Sequence, residues 1–515
     1  MRAGRRSINR KVTNFTDTQF THFSHCHNKT LTQQCYKAGM NINCHKNHYH
    51  YVPAAAALCL MFAFASCAAS GPEGKAPAGG SPKDAAPGYP AVTFCVLSDT
   101  HMYDTSLGTS GAAWDAYMAD DRKLLKESEE TLRTALADIK AVHPSFVLVT
   151  GDLTKDGELQ DHRLFARYLS DLAADGIKSY VLPGNHDINN PASVRFLPDG
   201  RTEPVPNVDP SAFVSIYLAD GYGSALRRDS ESLSYVVEVA PSLWLLALDS
   251  AKYEHNNGRK WSETSGAIRP ETYTWIESVL KDASSKGIAV IAAEHHPLME
   301  HIKAMKDKYP DYIVDDNWKL ASLLAAYNVR LFFTGHYHAS SIVEHSWPSN
   351  APQYLAGKTI VDIETGSLVT WPCSWRTVTL CTDGSASITT RRVAQIPSYE
   401  ASGRNFDTEG RAVIANGIGN IAANTMKGYH VPNKDIDRLV PSIVNAMMAH
   451  YNGDADLGQG EIFPPENSFS LRGRIVMKSY TNFVSGLWKK EEPADVQLME
   501  DNNIDIHADG TWTAR

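Results

Sequence analysis

The chain has 515 residues, of which 43% are hydrophobic and 21% charged, enough for one large domain and a smaller one with an ordinary core. The net charge of −9 divides into +7 over residues 1–67 and −16 beyond. That acidic body excludes a nucleic-acid scaffold, which needs a basic surface, and no stable nucleic-acid partner is expected, but a single anionic substrate held by metal ions remains compatible with it.

Residues 1–50 are rich in His, Asn, Thr and basic residues, with little that could form a core. The run "VPAAAALCLMFAFASC" (Val52–Cys67) then has the length and flanks of a signal-peptide apolar region. Its end, "FASC", resembles the bacterial lipobox, in which the cysteine is lipidated after cleavage. On that reading residues 1–67 are an export signal, Cys67 is the lipid anchor, and the protein sits on the outer side of the cell membrane. A plain secretory signal and an uncleaved anchor are the alternatives. Met1 and Met40 are both candidate starts. Residues 68–90 are small and Pro/Gly-rich and read as a flexible tether.

From Ala91 short apolar runs alternate with helical periodicity. The runs are 91–101, 146–152, 179–187, 243–250, 288–296 and 329–338, and their continuous apolarity suits strands buried on both faces. Helices are expected over 121–143, 162–176 and 270–287. This alternation predicts an α/β domain over 91–395, closed by β-like sequence at 340–395. Residues 396–515 are expected to form a small, mainly helical C-terminal domain. Beyond Cys67 only Cys95, Cys373 and Cys381 remain, too few for a disulfide framework; Cys95 reads as a core residue, and nothing in the sequence supports a Cys373–Cys381 bridge.

The residues that end these strands are of metal-ligand type. They are Asp99 and His101, Asp152, Asn185 and His186, His295 and His296, and His336 and His338. In open α/β sheets ligands bind beyond the carboxyl ends of the strands, so these groups converge. Any one of them alone reads more readily as turn chemistry, whereas the ordered set points to a metal site. Mixed nitrogen and oxygen donors suit Mn, Fe, Zn or Co, and with no cysteine at a strand end a thiolate zinc site is not expected.

The order D-x-H, G-D, G-N-H-D, H, G-H-x-H resembles the calcineurin-like metallophosphoesterase superfamily, with every block present between Asp99 and His338. "GDLTKDGE", "PGNHDINNP", the export signal and the extra C-terminal region further resemble bacterial surface-attached cyclic-nucleotide phosphodiesterases. The resemblance implies a β-sandwich flanked by helices and a centre of two divalent transition-metal ions. Asp99, His101 and His338 would hold one ion, Asn185, His295 and His336 the other, and Asp152 would bridge them. His295 rather than His296 is the implied ligand, because it stands two residues before Pro297; His296 points to the other side of the strand end or lines the cleft.

The resemblance gives His186 the role of contacting the phosphate or protonating the leaving oxygen. Asp187 orients His186, braces the loop or caps a turn. Gly184 is expected to let the backbone turn sharply off its strand. The activity implied is hydrolysis of a small phosphate ester, with a nucleotide as the expected substrate class, by attack of a metal-activated hydroxide. A 3′,5′-cyclic nucleotide phosphodiester is the leading substrate. A secreted phosphomonoesterase or nucleotidase is the rival, and a non-catalytic surface binding lipoprotein the third reading. The Arg that follows the bridging Asp in the phosphoprotein phosphatases has no counterpart, since Lys155 and Asp156 stand there. His162 and Arg163 lie further on, with no sequence argument that they touch substrate.

Overall fold

Short β-rich and apolar runs each end within a few residues of a turn, and in the computed structural model they become strands of two sheets. The structure describes residues 88–515 apart from 120, 257, 454–460, 490 and 491. The stretch read as an export signal, Cys67 and most of the expected tether lie outside the described residues. Among the described residues no helix is long and apolar enough to cross a membrane.

The strands are β1 (Val92–Leu97), β2 (Phe146–Thr150), β3 (Lys178–Leu182), β4 (Val194–Phe196), β5 (Thr202–Pro204), β6 (Arg227–Arg228), β7 (Tyr235–Ala240), β8 (Leu243–Ala247) and β9 (Ala289–Ala293). They continue with β10 (Leu331–Thr334), β11 (Ser341–Ser346), β12 (Thr359–Glu364), β13 (Ser374–Leu380), β14 (Ala386–Arg392), β15 (Gln497–Leu498), β16 (Asn503–Ile506) and β17 (Trp512–Ala514). One sheet has the order β17-β16-β14-β13-β1-β2-β3 and the other β15-β11-β12-β10-β9-β8-β7-β6, while β4 and β5 form a separate ribbon. The strands that precede candidate ligands run parallel, β1 with β2 and β3 in the first sheet and β9 with β10 in the second. Their carboxyl ends therefore open on one edge of the sandwich.

The two sheets share a core. Phe94 of β1 meets Phe333 of β10 edge-on at 5.4 Å, and the Tyr235 hydroxyl donates to the Val181 carbonyl at 2.9 Å. Strands buried on both faces need helices outside, and Pro270–Ser285 and Asn317–Ala326 cover the second sheet with Ile276, Leu280, Leu320 and Leu324. Ser128–Val142 and Leu159–Ala174 supply Leu132, Leu136, Phe165 and Leu169 to the main core. The family-type α/β sandwich flanked by helices is the observed architecture.

Two boundaries differ from the sequence expectation. The helix expected from 121 begins only at Ser128. Residues 122–124 are instead held by tertiary hydrogen bonds: the Leu124 amide donates to the Val369 carbonyl at 2.7 Å, and the Thr370 hydroxyl to the Arg122 carbonyl at 2.9 Å. Residues 396–515 carry the long helices Phe406–Gly428, Asn433–Tyr451 and Leu471–Leu487, as expected. After them the chain returns to strand. β15 pairs with β11 and β16 with β14, so this region extends both sheets, and its Leu439, Met448, Val484 and Ile504 belong to the main core. Cys95 is buried in β1, and Cys95, Cys373 and Cys381 are all free thiols.

Candidate metal centre

Each strand end turns abruptly enough to bring its polar side chain back over the sheet edge. Asp99 (φ 48°), His101 (φ 36°), Asp152 (φ 49°), His336 (φ 74°) and His338 (φ 67°) all adopt the left-handed backbone region. Non-glycine residues there cost of order 1–3 kcal/mol each, and such strain persists where the surrounding fold imposes it, characteristically at functional sites.

The donors gather in two groups. In the first, His338 Nε2 stands 3.3 Å from Asp99 Oδ1 and 3.2 Å from His101 Nε2. In the second, His295 Nε2 stands 3.2 Å from Asn185 Oδ1 and 3.2 Å from His336 Nδ1. Asp152 Oδ2 lies between them, 3.6 Å from His101 Nε2 and 3.4 Å from His295 Nε2. The seven predicted ligands are thus brought together, with Asp152 in the position a shared ligand needs.

A pair of divalent metal ions fits this donor set. Asp99 Oδ1 is buried with no hydrogen-bond partner, although it faces two imidazoles. Two donors each about 2.1 Å from one ion stand roughly 3.0–3.4 Å apart, close to the separations seen here. The far nitrogens are anchored. His295 Nδ1 meets the Thr150 carbonyl at 2.8 Å, His336 Nε2 the Asp311 carbonyl at 3.0 Å, and His338 Nδ1 the Thr370 hydroxyl at 2.8 Å. Such partners fix the tautomer and aim the ligating nitrogen inward. Burial alone would raise the Asp152 pKa, but the charges of His295, His186 and His101 outweigh it and hold the carboxyl well below its usual range.

His186 is placed differently. Its amide donates to Asp152 Oδ1 at 2.9 Å, and its Nε2 is 4.0 Å from Asp152 Oδ2. Its Nδ1 lies 2.9 Å from Asp156 Oδ1 and 2.6 Å from the Lys155 carbonyl. Burial and the Lys123 charge oppose protonation, yet the carboxylates of Asp152 and Asp156 prevail and raise its pKa above the ordinary value.

Asp187 does not orient His186. Its carboxylate accepts from the amides of Leu153 (3.1 Å), Thr154 (3.1 Å) and Gly184 (2.8 Å), and so braces the two ligand loops against each other. The backbone turn after Asn185 sends the neighbouring side chains in opposite directions, and the partner of His186 is Asp156. That residue was visible in "GDLTKDGE", but no spacing rule linked it to a histidine thirty positions on. Lys155 is fully buried in ion pairs with Asp156 and Glu158. His162 is buried too, bonded to the Tyr217 hydroxyl at 2.8 Å and the Asp187 carbonyl at 2.9 Å, so it supports the loop. Arg163 is exposed. His296 bonds the Ser250 hydroxyl at 2.8 Å and the Thr264 carbonyl at 2.9 Å, and its ring packs against that of His336 at 4.5 Å, beside the donor cluster.

Gly184 is required for space rather than for its φ. A Cβ there would lie 2.1 Å from Asp152 Oδ1 and 2.3 Å from its amide nitrogen.

Among solved structures the chain is similar to a dimetal phosphatase from Danio rerio, at 17% identity and a TM-score of 0.40, covering 59% of this chain and 97% of that one. It is also similar to purple acid phosphatase PPD1 from yellow lupin (Lupinus luteus), at 12% identity and a TM-score of 0.35, covering 61% of this chain and 54% of that one. No curated protein matches the sequence. The sequence profile of the calcineurin-like phosphoesterases matches residues 92–340, the stretch that contains all seven gathered donors and His186. Residues 92–340 are thus a calcineurin-like phosphoesterase domain.

Proposed function

We propose that this metallophosphoesterase hydrolyses a small phosphodiester, with a 3′,5′-cyclic nucleotide as the leading substrate, and that it works outside the cytoplasm tethered by lipid at Cys67. The observation that carries the catalytic reading is His186. Its side chain is 23% exposed, against 0% for His101 and His295 and 10% for His338, so it is the ring in the cluster most open to a substrate.

A divalent pair held by Asp99, His101 and His338 on one side, Asn185, His295 and His336 on the other, and Asp152 between them would supply Lewis acidity to the phosphoryl group and acidify water. The rest falls to the chain. Asp156 accepts the Nδ1 proton of His186 and so presents Nε2–H to the ester oxygen that must leave. The raised pKa of His186 keeps that proton available near neutral pH. Asp187 keeps the loops of Asp152 and Asn185 in register, which fixes the distance between acid and phosphorus. Lys155, spent in its own ion pairs, supplies no cation to the substrate from the turn where phosphoprotein phosphatases carry Arg.

The test is hydrolysis by the purified protein with Mn²⁺ of cyclic AMP, bis-p-nitrophenyl phosphate and p-nitrophenyl phosphate. Preference for the two diesters is expected; preference for the monoester would replace this reading with the phosphomonoesterase one. Asp152→Asn should lower the content of both ions in elemental analysis, and one ion per active chain would overturn the binuclear assignment. In a bacterial host Cys67→Ser should move the protein from the membrane to the soluble fraction, and unchanged fractionation would refute the lipid anchor.

A further inference from the structure

Beside the metal centre lies a cleft, partly open to solvent, between the loops that follow β9 and β10 and the C-terminal helices. The inner wall is aromatic: Tyr309, Tyr312 and Tyr337. The outer wall comes from the helices, with Ile418 and Ala422 on Phe406–Gly428 and Phe483 on Leu471–Leu487.

The cleft is continuous with the centre. The Tyr312 ring lies 4.8 Å from that of His336, tilted by 32°, and Tyr337 stands between His336 and His338 in the chain. Tyr309 then contacts Phe483 at 5.2 Å, which completes a line of rings from a candidate ligand to the helices. Arg122 lines the end nearest His338, since its carbonyl accepts from the Thr370 hydroxyl that also holds His338 Nδ1. Its guanidinium donates to the Tyr451 hydroxyl at 2.9 Å and pairs with no carboxylate among the described residues. The Tyr309 hydroxyl is buried and has no hydrogen-bond partner in the structure.

We infer that this cleft is the subsite for a planar aromatic substituent of the phosphate ester, the ring system of a nucleotide being the chemistry it fits. The inference rests on the phosphoester reading above. A wall built mainly of aromatic and aliphatic side chains favours a flat ring that stacks on it over a sugar or a second phosphate. The Tyr309 hydroxyl, buried and without a hydrogen-bond partner, gives such a ring a polar contact. The unpaired Arg122 cation stands at the end where the phosphoryl group would join the ring.

Equilibrium binding of adenosine 5′-monophosphate and of ribose 5-phosphate to the full-length protein isolates the ring, because both carry the same phosphate and sugar. The native protein should bind the nucleotide at least ~10-fold more tightly, as base stacking on aromatic side chains commonly gives. Ala422→Phe, which fills the cleft from the helix side, should remove most of that preference and leave ribose 5-phosphate binding within about twofold. Phe483→Leu should act in the same direction and keeps the test available if the larger side chain prevents folding. Equal binding of the two ligands by the native protein, or parallel losses for both in the variants, would overturn the subsite. Because the readout is binding, a protein that discriminates the ring yet hydrolyses no phosphoester would refute the proposed activity and leave the subsite standing.

Discussion

His186 spends one ring nitrogen on Asp156 and offers the other to the reaction side of Asp152. Replacing Asp156 with Asn keeps the shape but removes a charge that holds the imidazole proton. Asp156→Asn should therefore lower kcat by roughly 10–100-fold with little change in KM, and move the pH limb set by the protonated His186 to lower pH. A pH–rate profile checks this; an unmoved limb would return Asp156 to a structural role. Gly184 makes a second residue-scale test. A methyl group at 184 collides with both the carboxylate and the amide of Asp152, so Gly184→Ala should displace the shared donor. Metal content should fall together with activity, and full metal occupancy in this variant would contradict the packing argument. The identity of the donors was legible because each follows an apolar run directly. The partner of His186 was not legible, because a turn of the loop rather than a sequence interval decides which carboxylate reaches the ring.

Every strand that bears a candidate ligand was visible as an uninterrupted apolar run, for burial between a second sheet and a helix layer leaves no polar face to blur it. Edge elements lack that mark. β15 has two residues and pairs with β11, more than a hundred positions earlier, and β17 has three residues at the outer edge of its sheet, so neither is long enough to announce itself by a local pattern. The delayed start of the helix at Ser128 has a similar origin, since Arg122 and Leu124 satisfy their backbone groups on the Val369–Thr370 loop. One side chain shows how tightly the late strands are joined to the rest. Arg376 of β13 is fully buried and donates to the carbonyls of Glu364 (2.7 Å) and Asp501 (2.6 Å) and to the Thr390 hydroxyl (2.9 Å). Arg376→Met would leave buried acceptors unmatched on both sheets, and it should cost about 3–5 kcal/mol in urea unfolding. A loss below about 1 kcal/mol would mean that the two sheets are held together without this contact.

At the scale of the whole molecule, burial of histidines sets an acid limit. Burial depresses His162 to about 4, its bond to the Asp187 carbonyl opposing only in part, and burial depresses His450 to about 3. In the unfolded chain both titrate near 6.5. The unfolded state therefore takes up protons first as pH falls, and stability is lost progressively from about pH 6.5 down towards the folded values, by up to about 3 kcal/mol for His162 and about 5 kcal/mol for His450. Denaturant midpoints should drop between pH 7.5 and pH 5, and His162→Gln should flatten the slope; a midpoint independent of pH would show that these rings are not buried neutral. The joining of β16 to β14 has a further consequence for how the protein is made. β1 leaves the ribosome long before its sheet can be finished, because the strands that complete both sheets lie beyond Gln497. During most of synthesis the nascent chain lacks its outer strands and the Asp501 carbonyl that Arg376 needs. If the chain is exported as proposed, that delay would be useful: the translocation machinery would meet a chain that has not yet closed, and the fold would lock only on the far side.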